Sequence, residues 1–374
     1  MSRDIVFVYD HFYPDYSAGG PTTSLANLAA LLGTSCNVKI LTSAWHYRPR
    51  KKIDDINFNQ WTTYDKFTVW YADSPKSIRD AIDTLAPGSV CYVNGIFSQN
   101  FFLPVLRQAK RREFDVVVTP RGMLQQGALR DKALKKSVYL FILKLIGALG
   151  GVHWHATDEE ECTDIRRHFG RKLKVDVIPN VPRLPAPGNT VIPKEAGILK
   201  LVYFSLISRK KNLKFLLDLI VNTSIPGITL DIVGPIKDSD YWSECLPLIE
   251  RSNGTVKYLG DRNPSEVNAL LSNYHFFVLP TNGENFGHAI MEAMSSWRPV
   301  MISEHTPWKD ILPFHGGLSI PLVTSQWDDR LKEIRNWSQS EFDSACVGAM
   351  DYFCTKINMS GLRSMYLSLF RVHS

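Results

Sequence analysis

The chain has 374 residues, 44% of them hydrophobic and 21% charged, with a formal net charge of +6. That length suits two domains of about 150 residues each, and the composition excludes a disordered chain, a coiled coil and a collagen-like fibre. The mild positive charge suits phosphate-bearing ligands or an anionic surface, and it falls far short of a nucleic-acid-binding signature.

The opening Arg3-Asp4-Ile5-Val6-Phe7-Val8-Tyr9 reads as a first strand and not as a signal peptide. Strands are expected at Ile5–Tyr9, Val38–Thr42, Phe67–Tyr71, Val90–Asn94, Val116–Thr119 and Val152–Ala156, where β-branched and aromatic residues concentrate. Helices are expected between and after them at Pro21–Leu32, Ile78–Leu85, Phe101–Arg112, Asp131–Gly147 and Asp158–His168. Such alternation predicts a parallel sheet covered by helices on both faces. Asn180–Gly197 then carries Pro182, Pro185, Pro187 and Pro193 with Gly188 and Gly197, and reads as a linker. The alternation restarts with strands at Leu201–Ser205, Leu230–Val233, Val256–Leu259, Phe276–Leu279 and Val300–Ile302. Helices are expected there at Leu213–Val221, Tyr241–Arg251, Pro264–Leu271 and His288–Trp297, and the last fifty residues are helical in pattern.

The expected organisation is therefore a first domain over 1–179, a linker at 180–197, and a second domain over 198–356, followed by a helical tail at 357–374. Six scattered cysteines without a Cys-x-x-Cys argue against a disulfide framework or a zinc knuckle, and favour a cytoplasmic setting. No run reaches the 18 apolar residues of a spanning helix; the nearest, Val138–Val152, is broken by Lys144.

Three segments could carry chemistry. Ser17-Ala18-Gly19-Gly20-Pro21 follows the first strand and opens a helix, so its backbone N–H groups could meet an anion; a tight turn alone would look the same. Ser208-Arg209-Lys210-Lys211-Asn212 puts three cations at the end of a strand, placed for a diphosphate or simply solvated. Glu284-Asn285-Phe286-Gly287-His288 leads into a helix that carries Glu292, eight residues after Glu284. Glu292 interrupts an apolar helix surface, where a carboxylate is costly unless it meets a polar partner. Asp238-Ser239-Asp240 has the form of a metal motif but opens a helix, where N-capping is expected. His153 and His155 with Glu159, Glu160 and Glu161 could be a metal set or ordinary strand-end packing.

The third segment sits in a wider pattern: Val256-Lys257-Tyr258-Leu259-Gly260, Ser265-Glu266-Val267, Phe277-Val278-Leu279-Pro280, the spaced glutamates, and Trp297-Arg298-Pro299-Val300. This pattern resembles the signature of family 4 retaining glycosyltransferases. The resemblance is strong from about Lys200 to Pro307, and weaker but collinear at Gly19-Gly20, at Thr119-Pro120-Arg121-Gly122 and from His155 to Glu161. It implies a GT-B-like α/β fold, with two Rossmann-like domains facing across a cleft and a final helix at 357–374 that crosses back onto the first domain. It also implies transfer of a sugar from a nucleotide diphosphate sugar to an acceptor hydroxyl with retention, without a metal or cofactor.

By the same resemblance, Gly19, Gly20, Arg209, Lys211, Glu284, Asn285, Phe286, Gly287 and Glu292 would bind the donor. Lys211 would grip the diphosphate, Glu284 the sugar hydroxyls and Glu292 the ribose. Catalytic roles would fall to Glu284, Lys211 and Arg121. The chain departs from the family twice: Leu206 stands where an arginine is usual, and Arg121 where a histidine is common. Arginine cannot shuttle protons, because its pKa stays above about 12. The acceptor would be a saccharide or lipid-linked saccharide, and a nucleotide-sugar epimerase or a non-catalytic binder of the same fold is the alternative.

Two basic clusters, Arg107-Lys110-Arg111-Arg112 and Arg130-Lys132-Lys135-Lys136-Lys144, lie in the first domain. Beside the second run Leu134, Val138, Phe141, Ile142, Leu145 and Leu149 along one helix face. That stripe either faces the domain core or lies on an anionic membrane, at the inner face of the plasma membrane.

Overall fold

The structure, a computed structural model, describes residues 3–15, 19–33, 35–46, 51–65, 67–98, 100–125, 128–129, 133–185, 188, 192–223, 225–263 and 266–372. Ser17, Ala18, Arg130, Asp131, Lys132, Pro187, Pro264 and Ser265 lie outside the described residues. The chain divides into two compact units, residues 1–181 with 359–374, and residues 182–358.

The first unit is built on an eight-stranded sheet in the order β3-β4-β2-β1-β5-β6-β7-β8. Its strands are β1 (Asp4–Val8), β2 (Asn37–Ser43), β3 (Trp61–Tyr64), β4 (Phe67–Ala72), β5 (Val90–Asn94), β6 (Asp115–Thr119), β7 (His153–Ala156) and β8 (Val175–Val177). Every pair is parallel except β3 with β4. β1 and β5 are buried at all five positions, which is why their sequences run apolar without alternation: helices cover both faces. Those helices are α1 (Gly20–Leu32), α2 (Pro75–Asp83), α3 (Leu103–Arg111), α4 (Ala133–Leu145) and α5 (Glu159–Phe169).

The second unit has a six-stranded, wholly parallel sheet in the order β11-β10-β9-β12-β13-β14. These are β9 (Leu199–Phe204), β10 (Ile228–Val233), β11 (Val256–Tyr258), β12 (Phe276–Leu279), β13 (Val300–Ser303) and β14 (Gly317–Ile320). Its helices are α6 (Leu213–Thr223), α7 (Ser239–Arg251), α8 (Val267–Leu271), α9 (His288–Ser295), α10 (Thr324–Arg335) and α11 (Gln339–Lys356). The last helix, α12 (Met359–Leu369), belongs to the first unit, where Tyr366 donates to the Pro179 carbonyl at 3.0 Å.

Helix ends follow local chemistry. Asp158 caps α5 by accepting the Glu161 N–H, acids fill the first turn, and Arg166, Arg167 and His168 fill the last, matching the helix dipole at both ends. Asp238 caps α7 by accepting from Tyr241 N–H at 3.0 Å, so its short acidic motif serves the helix start. Among the described residues, no three histidine, cysteine or acidic side chains gather as a metal site, and no helix is long and apolar enough to cross a membrane.

The stripe on α4 turns away from the core. Leu140 and Leu143 supply its buried face, whereas Leu134, Val138, Phe141, Ile142 and Leu145 are exposed and only Leu149 packs partly against the core.

Candidate active site

In the second unit, the turn after β9 and the loop after β12 are bound to each other. Arg209–Lys211 forms one 3-10 turn, closed by Asn212 in the left-handed region. The Lys210 carbonyl accepts from Asn282 N–H at 2.8 Å and from the Thr281 hydroxyl at 3.1 Å, and the Arg209 carbonyl accepts from the Asn282 amide at 3.1 Å. Glu284 N–H donates to the His305 carbonyl at 3.0 Å. This stapling brings Lys211 and Glu284, 73 residues apart, into an ion pair between largely buried side chains.

The same turn sends Arg209 elsewhere. Its guanidinium pairs with Glu244 on α7 and lies 3.9 Å from Asp238, leaving the side chain 59% exposed. A run of three adjacent cations therefore splits. Lys211 faces Glu284 in the loop after β12, and Arg209 is held on the neighbouring helix by a carboxylate that the sequence did not single out.

Glu284 leads into α9, whose first turn contains no acidic side chain and whose end has no side-chain cap. Gly287 stands at that end with φ of +76°, and a Cβ there would sit 2.9 Å from Ile290 Cδ1. The positive φ calls for glycine, and the N-terminal N–H groups of α9 keep their anion-binding character. The Trp308 indole N–H donates to the Phe286 carbonyl and the two rings meet edge to face, which holds the Asn285–Gly287 turn.

One turn into α9, Glu292 is 4% exposed, and burial raises its carboxyl pKa against the opposing charge of Arg183. Arg183 Nε lies 3.5 Å away. The sequence reading placed Arg183 inside a proline-rich linker; the structure makes it the counter-ion of Glu292. The signal was there: a buried carboxylate demands a cation.

In the first unit, a second polar cluster sits at the carboxyl ends of β5, β6 and β7. Arg121 follows β6 with φ of +56°. It donates from Nε to Asn94 Oδ1 at 2.8 Å, from Nη2 to the Tyr92 hydroxyl at 3.0 Å, and from Nη1 to Ser24 at 3.2 Å and to Asn180. Burial opposes the charge on Arg121, yet Tyr92, Tyr366 and Glu161 outweigh it and raise its pKa. Arg121 is thus a permanent cation most of whose donors tie the first unit together.

Tyr92 lies 2.8 Å from His155 Nδ1, and His155 Nε2 lies 2.9 Å from the Ile178 carbonyl. Burial, aided by Arg121, pushes the His155 pKa down to about 3, so the ring is neutral. Glu161 turns inward and accepts from Gly122 N–H at 2.6 Å and Thr157 N–H at 2.7 Å. These internal bonds occupy His155 and Glu161, while Glu159 and Glu160 of the same candidate metal set are exposed. Gly19, with φ of +74°, precedes Gly20 and Pro21 at the start of α1, which likewise lacks a side-chain cap and first-turn acids.

Asp10, just after β1, was not singled out from the sequence. Its Oδ1 is buried without a hydrogen-bond partner, and burial pushes the carboxyl pKa up to about 6 against a hydrogen bond from Ser98. A raised acid pKa adds stability fully present below its unfolded value near 3.8, and that stability is lost as pH rises through about 6. Asp10→Asn should therefore match the parent protein near pH 4 and exceed it by at most about 3 kcal/mol at pH 8, read from denaturant midpoints. Equal gains at both pH values would show that the carboxyl is not desolvated.

Residues 192–339 match the family model described as glycosyl transferases group 1, so the chain carries a group 1 glycosyltransferase domain. Comparison with curated proteins finds no match. Among solved structures, Anabaena Alr3699/HepE in complex with UDP and glucose is similar at TM-score 0.69 and 14% identity, covering 99% of both chains. Sucrose-phosphate synthase (tll1590) from Thermosynechococcus elongatus is similar at TM-score 0.68 and 15% identity, covering 99% of this chain and 98% of that one. WaaG, a glycosyltransferase involved in lipopolysaccharide biosynthesis, is similar at TM-score 0.67 and 12% identity, covering 99% of this chain and all of that one. The fold is GT-B, with two Rossmann-like parallel-sheet units.

Proposed function

We propose that the chain transfers a hexosyl group from a nucleotide diphosphate sugar to an acceptor hydroxyl with retention at the anomeric carbon. The observation that carries this reading is the Lys211–Glu284 pair beside the open end of α9. A cation suits a diphosphate, a carboxylate suits sugar hydroxyls, and an uncapped helix start suits phosphate oxygens. The complex of HepE with UDP and glucose supports the same class of donor.

In the reaction the bond from the anomeric carbon to the phosphate oxygen breaks, and the acceptor oxygen forms the new bond on the same face. The acceptor proton passes to the departing phosphate oxygen. Lys211 and the Asn285–Gly287 amides stabilise the charge that grows on the diphosphate, where fixed charges need no reorganisation. Glu284 holds sugar hydroxyls and thereby orients the anomeric carbon. Glu292 binds the ribose hydroxyls. On the first unit, Gly19 and Gly20 present backbone N–H groups suited to an anion, and Arg121 acts as a positioning residue by fixing Ser24 on α1. Arg209 reaches the donor only by leaving Glu244, so its contribution is small beside that of Lys211. The acceptor is a saccharide or lipid-linked saccharide in polysaccharide or glycolipid assembly, and the chain works as a peripheral protein at the inner face of the plasma membrane.

A thermal-shift panel of UDP-, GDP- and ADP-sugars tests the donor class. One nucleotide series should stabilise the protein, by about 2.7 kcal/mol at a hundred times the dissociation constant. A flat response to every donor and every free nucleoside diphosphate would remove the reading.

A further inference from the structure

Helix α4 is apolar on two opposite sides. Leu140 and Leu143 face the core at 5% and 0% exposure, while Leu134, Phe141 and Leu145 stand 79%, 64% and 74% exposed. At about 100° per residue, Leu134, Val138, Phe141 and Leu145 share a sector roughly 60° wide, pointing away from Leu140 and Leu143. Ile142 and Ile146, 44% and 50% exposed, widen it on one side. Exposed Lys144 borders this sector on one side, and exposed Lys135 lies on the other, between Ile142 and Ile146.

We infer that this face of α4 docks on an anionic phospholipid surface, with the apolar stripe among the acyl chains and the lysines at the headgroups. Charge decides the occupant. Ala133–Leu145 holds no acidic residue. Lys110 on α3 donates to the Ala148 carbonyl at 2.9 Å, which joins α3, a helix that also carries the exposed Arg107 and Arg111, to the turn that follows α4. A contiguous stripe of large apolar side chains edged by cations is the pattern of an interfacial helix, whereas a second copy would bring the same cations against each other. Lys136 takes no part, because its ammonium is bound to the Ala128 carbonyl at 2.6 Å.

The inference deepens the lipid-linked acceptor proposed above, but its test needs neither donor nor acceptor, so its failure leaves sugar transfer standing. The full chain is sedimented with vesicles of phosphatidylcholine alone, or with about one-third phosphatidylglycerol, at low and high salt. The parent protein should bind the anionic vesicles at low salt and lose about tenfold in affinity at high salt. Lys135→Glu with Lys144→Glu should weaken binding by at least about tenfold. A Leu134→Ser, Phe141→Ser, Leu145→Ser variant should abolish binding while keeping the parent melting temperature, since all three side chains are exposed. Absence of parent binding at low salt, or undiminished binding by the serine variant, overturns the inference. So does a parent dimer in solution that the serine variant converts to monomer, which would assign the stripe to a second copy.

Discussion

Lys211→Ala should reduce kcat/KM for sugar transfer by about 10²–10³, the usual cost of removing one preorganised group that meets developing negative charge. The variant also leaves Glu284, whose side chain is 7% exposed, without its cation. A buried carboxylate stripped of its partner destabilises the fold, here by about 1–3 kcal/mol because Lys211 retains some solvent contact. The two effects separate in the double variant. Lys211→Ala with Glu284→Ala should recover much of the lost stability, since no charge is then left unpaired, yet recover none of the activity. Urea unfolding alongside steady-state rates checks both halves. A double variant more active than Lys211→Ala would remove Glu284 from sugar positioning.

The second large effect is expected at Glu292. Its carboxylate would accept two ribose hydroxyls, each such bond to a charged group contributing about 1.5 kcal/mol, so Glu292→Ala should weaken donor binding by about 10²-fold. Calorimetric titration with the nucleoside diphosphate alone suffices, because the ribose and not the sugar is at issue. Proton linkage provides a finer check. Burial raises the Glu292 pKa, and the ribose hydroxyls need the ionised form as their acceptor. Nucleotide affinity should therefore fall as pH drops from neutral toward that raised value, and the fall should vanish in Glu292→Ala. Arg183→Met should push the carboxyl further toward its neutral form and move the fall to higher pH.

Much of the fold could be read from pattern alone, and the omissions share a physical cause. Unbroken apolar strands such as Ile5–Val8 and Phe276–Leu279 can exist only in a sheet covered on both sides, so the parallel architecture follows from them. The missed strands are edge pieces of three or four residues: β3 pairs antiparallel with β4 on one border, and β8 and β14 close others. β3 and β8 leave most of their positions partly or fully exposed, which is too little burial for an apolar pattern to mark them. On α4 the period identified an apolar face, but a helix apolar on two sides gives no indication of which side the sheet will take. Leu140 and Leu143 took it, and the longer stripe was left exposed.

Site chemistry was legible wherever one residue type had one plausible partner class. Glu284, Glu292, Lys211 and Gly287 stand out because an acid on an apolar helix, a cation at a strand end and a glycine before a helix each demand a reason. Arg183 was hidden by its prolines, and the Arg209–Glu244 pairing by distance along the chain. Resemblance assigns Arg121 a catalytic role, whereas in the structure Ser24, Tyr92, Asn94 and Asn180 share its donors. Sequence spacing cannot show which hydrogen bonds a guanidinium will spend internally.

The most direct measurement follows the anomeric carbon itself. A nucleotide sugar labelled with carbon-13 at that position, identified by the thermal-shift panel, is incubated with the protein and a saccharide acceptor and observed by NMR. The expected result is nucleoside diphosphate released one for one with a new glycosidic bond, whose anomeric coupling matches that of the donor, and a rate that depends on the acceptor. Conversion of the donor to a stereoisomeric nucleotide sugar at the same rate without acceptor, or a product of inverted anomeric configuration, would contradict retaining sugar transfer.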